Sequence, residues 1–478
     1  MEAKAAKRPS GSLVHLKRIP IRAQRHFTEK NAAEFLDGRG LVEAERAAAD
    51  IESWPRNKVE LLCDDLFDFL EQQRSTWEKA GAPEISPFNC LASSSIRGDS
   101  GCSNPSCRAA KLDLLSQFAA MYADQVFLPV PLRSPGESGT NAGIRNGLIQ
   151  TVTSILELRP LVERDIVRPT MRLLHYCSEC AHAAMSEYQE GEEAITELAV
   201  RNSSDFEFSY ELIKDRPKML ALRLQGPEEY IEHGSLYRLL PETPRWAQVD
   251  LAPRKVVRLP RNSPIHTDLV RSVLYGIGRD VIFHQQFGPQ FNATYLTDLA
   301  GEARFLQLLS EKDDLAISTA QLFANLAHEI PFIRDLPIRT ILKIRDENPA
   351  SFQFYRSALK SIVKEHVHRG QATTAGQAHE IYEDILAPAL AELRVEAERQ
   401  HTRWVRKSVA TAALAIGAVS LGATGVLQSQ QVLQMLGGAT LKGLADQLAE
   451  SNTESVTSNK LYFLLRLQRE ATGRRRFA

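Results

Sequence analysis

Val409-Ala-Thr-Ala-Ala-Leu-Ala-Ile-Gly-Ala-Val-Ser-Leu-Gly-Ala-Thr-Gly-Val-Leu427 lies inside Ser408 to Leu441, thirty-four residues without one charged side chain. How this stretch is read decides between a helical protein in water and one held in a bilayer. At about 1.5 Å per residue its length suffices to cross a hydrocarbon core of roughly 30 Å. Its makeup argues the other way, because only Val409, Leu414, Ile416, Val419, Leu421, Val426 and Leu427 are strongly apolar and small residues fill the rest. Gly417, Gly422 and Gly425, with Ala413, Ala418 and Ala423, would let another helix approach closely, in a membrane or in a protein core. Arg403, Arg406 and Lys407 precede the stretch, so a span would leave the large N-terminal part in the cytoplasm. The expectation is a small-residue apolar helix pair within a C-terminal region 406–478. Membrane contact, if made, would run through Val409 to Leu427.

The rest of the chain is that of a globular protein. With 478 residues, 43% of them hydrophobic, it can build two to four domains or one large helical assembly. A formal net charge of −1 gives no global attraction for nucleic acid or anionic lipid. Nucleic acid is therefore not an expected partner, despite Lys17, Arg18, Arg22, Arg25 and the terminal Arg474 to Arg476, since aromatic residues are poorly interleaved with them. Residues 1–30 form a basic arm without the apolar segment of a secretory signal, which makes cytoplasm the expected compartment.

Periodicity predicts a mainly α fold, a multi-helix assembly with a small β-containing insertion. A helical domain spans 31–200, with the stripe Val59, Leu62, Leu66, Phe69 and Leu70, and with Asp64, Asp65 and Asp68 on the expected solvated side. Gly81 to Ser106 reads as loop. Gln125-Val-Phe-Leu-Pro-Val-Pro-Leu132 reads as a buried extended segment whose prolines limit ladder pairing. Ser134 to Gly143 is the best linker, leading to a helix with Ile144, Leu148, Val152, Ile155 and Leu156 on one face. Alternating residues in 206–213, 218–224 and 234–240 place the β insertion at 201–260, and a further helical domain follows at 261–405.

The strongest chemical signal is Cys102-x4-Cys107 with Cys177-x2-Cys180, two close thiol pairs of the kind that hold structural zinc. A closed four-thiolate site would support folding and no catalysis, because activating water needs an open position. Cys90, His175 or His182 could replace a thiolate, and a redox pair or unligated thiols are the other readings. Gly98-Asp-Ser-Gly101 spells a serine-protease tetrapeptide without the β-barrel that chemistry needs. Gly276-Ile-Gly278 falls within a helical pattern, and no phosphate-binding P-loop occurs. His328-Glu329 lacks the second histidine of a zinc-protease helix. Glu365, His366 and His368, with His379, Glu380 and Glu383, could assemble an acid–base or metal site only through the fold. Phe352, Phe354, Tyr355 and Arg356 read as a core face.

Tyr122 to Leu132, Ile344 to Arg356 and Leu461 to Leu467 resemble stretches of uncharacterised bacterial helical proteins, some of which look like parts of anti-phage or toxin-like systems. That resemblance covers about a tenth of the chain and brings no catalytic residue. The expected function is a non-enzymatic interaction or regulatory component with a protein partner. The alternatives are a membrane-acting effector using 409–427, or an enzyme whose site is built from distant acids and histidines.

Overall fold

The structure is a computed structural model that describes residues 27–79, 88–99, 104–134, 139–171, 178–213, 216–231, 234–240, 256–299, 336–366, 379–388 and 462–475, with residues 244, 247, 301, 302, 305, 306, 330, 333 and 391. The basic arm up to residue 26, His328 and the whole of 408–441 lie outside these residues.

Three helices open the fold: α1 (Ala32–Asp37), α2 (Ala44–Ser53) and α3 (Arg56–Lys79). Asn31 caps α1 by accepting from the amides of Ala33 and Glu34, the short-side-chain capping that frees such a residue from helix duty. The predicted stripe from Val59 to Leu70 is buried. The acids beside it are not on a solvated face. Asp64 stands 3.7 Å from Arg133 and Asp65 4.0 Å from Arg39, because α3 is packed on more than one side and its polar stripe meets neighbouring basic side chains.

A parallel sheet comes next, and periodicity gave no sign of it. It is built from β1 (Asn89–Ala92), helix α4 (Pro105–Met121), β2 (Gln125–Val130), helices α5 (Asn141–Glu157) and α6 (Arg159–Val162), and β3 (Val167–Met171). The chain then leaves through α7 (Ser178–Arg201). A second sheet of β4 (Glu207–Ile213), β5 (Arg216–Gln225), β6 (Ser235–Leu240) and β7 (Val257–Arg258) follows, and α8 (Pro264–Phe287) returns the chain to β8 (Thr294–Leu296). The first sheet, sheet A, has the order β3-β2-β1-β8, with every pairing parallel. Cys90, Ala92, Val126, Leu128 and Val130 face the core shared with α4 and α5, while Leu91 and Phe127 face Phe287 and Phe291 on the other side. Helices thus cover both faces, and the order reverses between β1 and β8. This is the doubly wound arrangement.

Several expectations change here. Gly81 to Ser106 is not all loop, since it contains β1. Gln125 to Leu132 contains the central strand of sheet A rather than a poorly paired segment. Pro129 is tolerated because β1 pairs with β2 only as far as Leu91 with Phe127; beyond that register the Pro129 carbonyl accepts from the Arg97 guanidinium. Ser134 to Gly143 joins two elements of one core, because Val130 and Leu132 before it and Ile144 and Leu148 after it pack together. Strand β8, from the segment expected as a separate helical domain at 261–405, completes the sheet begun within 31–200.

Sheet B has the order β6-β5-β4-β7 and is antiparallel throughout, at the place predicted for the β insertion. Phe208, Tyr210, Leu220, Leu222 and Leu224 alternate toward α7 and α8. Those helices touch through glycine: a Cβ on Gly278 would fall 2.4 Å from Ile195 Cδ1, and one on Gly191 would fall 2.6 Å from Ile282 Cδ1. Gly276-Ile-Gly278 is therefore part of a helix contact.

Helices α9 (Ile338–Glu347), α10 (Pro349–His366) and α11 (Tyr462–Arg475) pack on the α/β core. Phe352 and Tyr355 meet Phe463, as the expected core face requires, although Phe354 is exposed. Arg356 is buried over Phe88 and grips both oxygens of Asp124, tying α10 to the start of β2. The chain is mainly α-helical, with a sizeable α/β part at its centre.

Candidate functional site at the carboxyl edge of sheet A

In a doubly wound sheet, ligands bind outside the carboxyl ends of the strands where the strand order reverses, because loops leaving to opposite faces open a crevice there. In this chain that point lies between β1 and β8. The residues that follow the two strands are Ser93-Ser-Ser-Ile-Arg-Gly-Asp99 and Thr297-Asp298, with Glu302 close behind. They meet. The Ser93 amide continues the ladder by donating to the Leu296 carbonyl at 2.9 Å, and the chain then turns, with Arg97, Gly98 and Asp99 amides donating back to Ser93, Ser95 and Ser94 carbonyls. Gly98 adopts φ +69°, in the left-handed region that favours glycine. A Cβ there would also lie 2.9 Å from Arg108 Cα.

Hydroxyl groups gather around one carboxylate. Ser95 Oγ donates to Glu302 Oε2 at 3.0 Å, Thr297 Oγ1 donates to the same oxygen, and Ser93 and Ser95 hydroxyls lie 2.7 Å apart. Ser93, Thr297 and Glu302 are completely buried. Each hydroxyl has a single proton, so both donors spent on Glu302 go to Oε2. Its other oxygen, Oε1, is buried with no hydrogen-bond partner among the described residues. Burial pushes the Glu302 carboxyl above its ordinary value, against the lowering effect of the surrounding hydroxyls.

A second carboxylate comes from α8. Asp280 Oδ2 accepts from the Ser94 amide at 2.6 Å and from the Tyr295 hydroxyl at 3.2 Å, and its Oδ1 lies 3.8 Å from the Arg97 guanidinium. Arg97 also stands 3.2 Å from Asp99, which is 3.8 Å from Arg108. Arg108, in the first turn of α4, is anchored to Thr153 at 3.1 Å and to the Gln150 carbonyl at 2.6 Å on α5. Burial lowers its guanidinium below the usual arginine value. Lys111, one turn further along α4, pairs with Asp298, whose Oδ1 is buried without a hydrogen-bond partner among the described residues. His284 packs against Tyr295 and is driven by burial down to about 3, so it is neutral at physiological pH.

Four segments of the chain thus place four carboxylates, three cations and four hydroxyls at one edge. This arrangement can hold a polar molecule through hydrogen bonds, with acceptors in surplus on the β8 side. The residues sequence reading singled out are elsewhere. Cys107 is exposed in the first turn of α4 and Cys180 is exposed in the first turn of α7, while Cys102, Cys177 and His175 lie outside the described residues. Cys90 is a buried side chain of β1, its thiol pushed up by burial, and His182 is exposed on α7. Among the described residues no group of three or more His, Cys, Asp or Glu is placed to hold a metal ion. His379, Glu380 and Glu383 are exposed, and the described residues do not include His368. Asp99 of Gly98-Asp-Ser-Gly101 serves as an ion-pair partner, with Ser100 outside the described residues. No helix among the described residues is long and apolar enough to cross a membrane.

Sequence reading missed Ser93, Ser95, Arg97, Asp280, Thr297 and Glu302. A local signal existed: the apolar Cys90-Leu-Ala92 ends abruptly in three serines, as a strand entering a polar turn does. No protein family, no curated protein and no solved structure matches the chain.

Proposed function

We propose that the chain is a ligand-responsive interaction or regulatory component. Its α/β core binds a small polar molecule at the carboxyl edge between β1 and β8, and its helical layers contact a protein partner. The observation that supports this most is Glu302, a wholly buried carboxylate with one oxygen unpartnered among the described residues, bonded to hydroxyls that follow β1 and β8, where doubly wound folds take ligands. Leaving such a group unsatisfied costs about 1–3 kcal/mol, a cost that a ligand contact offsets and that an apolar core would avoid.

The test is thermal denaturation of the full chain with AMP, glucose 6-phosphate, glutamate and spermidine in turn. At least one probe at a hundred times its Kd raises the midpoint by several degrees, since such saturation adds about 2.7 kcal/mol, and Thr297→Val abolishes the rise. No rise with any probe rejects the site. Structural zinc on Cys102, Cys107, Cys177 and Cys180 is proposed alongside it, from their spacing alone. Metal analysis should then give about one zinc per chain, lost in the Cys177→Ser, Cys180→Ser variant.

A further inference from the structure

We infer that this edge recognises the vicinal hydroxyl groups of a sugar, with Glu302 and Asp298 as the accepting side chains. The inference rests on the ligand site proposed above and names its substrate class. Hydrogen-bond accounting carries it. On the β1 side of the edge both signs are present, because Arg97 faces Asp99 and Asp280, and Arg108 faces Asp99. The β8 side differs. There the atoms left over are acceptors: Glu302 Oε1 and Asp298 Oδ1 are both buried and lack a donor among the described residues. The missing partner must therefore bring donors, and two carboxylates held by adjacent segments call for two donors close together.

Hydroxyls and ammonium groups both donate, and the local charge separates them. Asp298 is already paired with Lys111, which cancels its pull on a cation. Glu302 lies fully buried, with Oε2 already accepting from the hydroxyls of Ser95 and Thr297. An ammonium entering here would have to give up its hydration shell, a desolvation cost that can exceed the Coulombic gain. A neutral diol loses less and satisfies both oxygens.

Ligand-observed NMR on the full chain decides the matter, with adenosine, 2′,3′-dideoxyadenosine, D-ribose and butylammonium as probes. Adenosine should bind about ten-fold or more tightly than its dideoxy analogue, because buried acceptors left unpaired penalise the analogue lacking hydroxyls. D-Ribose should compete with adenosine. In Asp298→Asn and Glu302→Gln chains the preference should shrink by a similar factor. Should either variant fail to fold by circular dichroism, the comparison of the two nucleosides on the native chain decides alone. Equal binding of the two nucleosides, or displacement of adenosine by butylammonium, overturns the diol assignment. A response to glutamate or spermidine with none to any sugar keeps the ligand site and overturns the diol. No response to any probe overturns both.

Discussion

Sheet B buries an apolar face and sheet A ends in a buried polar edge, although the same helix, α8, packs against both. Over sheet B, α8 contributes Val270, Leu274, Ile277 and Val281 to a cluster with Phe208, Leu222 and Leu224. The buried polar group it adds there is His266, whose Nε2 lies 3.0 Å from the Phe206 carbonyl. One turn beyond Ile277 the helix turns to sheet A and offers Asp280, which is drawn into the network of Ser94, Tyr295 and Arg97. Burying apolar area stabilises without direction, at about 25 cal/mol per Å². Burying charge is stabilising only when each group is paired, and at the carboxyl edge of sheet A the buried Glu302 Oε1 and Asp298 Oδ1 lack donors among the described residues. Sheet B is thus built as packing, while sheet A carries an arrangement that packing alone does not explain.

The largest effects should come from the two aromatic cores. Phe127 sits in the central strand between Trp77 and Phe291, and Phe208 meets the His266 ring edge-on. Cutting either to alanine should cost about 3–5 kcal/mol, the usual range for a buried phenylalanine, read as a lower midpoint in urea. Their effects on ligand binding should part company. Phe127→Ala disturbs the strand beside the candidate site and should weaken any probe that binds, whereas Phe208→Ala should leave probe affinity within about two-fold at low denaturant. Equal loss of affinity in both would mean that the two sheets act as one unit.

The same contrast explains what the sequence disclosed. Sheet B was legible because β4 and β5 are half-buried: Phe208, Tyr210, Leu220, Leu222 and Leu224 point inward and Ser209, Ala221 and Arg223 separate them, so period two is visible. The strands of sheet A are buried on both faces. Cys90-Leu-Ala92 and Thr294-Tyr-Leu296 are so short, and so uniformly buried, that no alternation exists to be read. Helix stripes such as Ile144, Leu148, Val152 and Ile155 were plain in the sequence and are buried as expected. The site was hidden for another reason. Ser95 and Thr297 are 202 positions apart, and only strand order brings them to 3.1 Å. Glycine and acid motifs drew attention instead, and the fold uses Gly278 for helix contact and Asp99 for ion pairing.

A smaller effect with a definite sign should follow from Glu302. Burial raises its carboxyl above the ordinary value, so the folded state binds its proton more tightly than the unfolded state. Stability linked to that proton is complete below the unfolded value, and it is lost as pH rises through the folded one. Within that window the native chain should lose up to about 1.4 kcal/mol per pH unit from this group. Glu302→Gln cannot ionise and removes the dependence. The variant should match or exceed the native chain in stability at pH 8 and lose that advantage by pH 4, measured by urea denaturation at both. A native chain that grows more stable relative to the variant as pH rises would show that ligand-free Glu302 is already well satisfied as an anion.

The smallest of these effects tests the turn that aims the serines. Gly98 holds φ +69°, and alanine in the left-handed region costs about 1–2 kcal/mol from backbone sterics alone. Its Cβ would also press on Arg108 Cα at 2.9 Å, and backbone in a helix yields less readily than the end of a side chain. Gly98→Ala should therefore displace the turn, loosening the approach of Asp99 to Arg97 and Arg108 while the cores of both sheets stay intact. The midpoint in urea should fall modestly, by less than for Phe127→Ala, yet probe binding at the carboxyl edge should fall with it. A turn variant that loses stability but binds every probe as the native chain does would place the ligand contacts on the β8 side alone, on Thr297, Asp298 and Glu302. Sheet A would then take its ligand from the strand that returns through α8, and the serines would serve only to hold Glu302 in place.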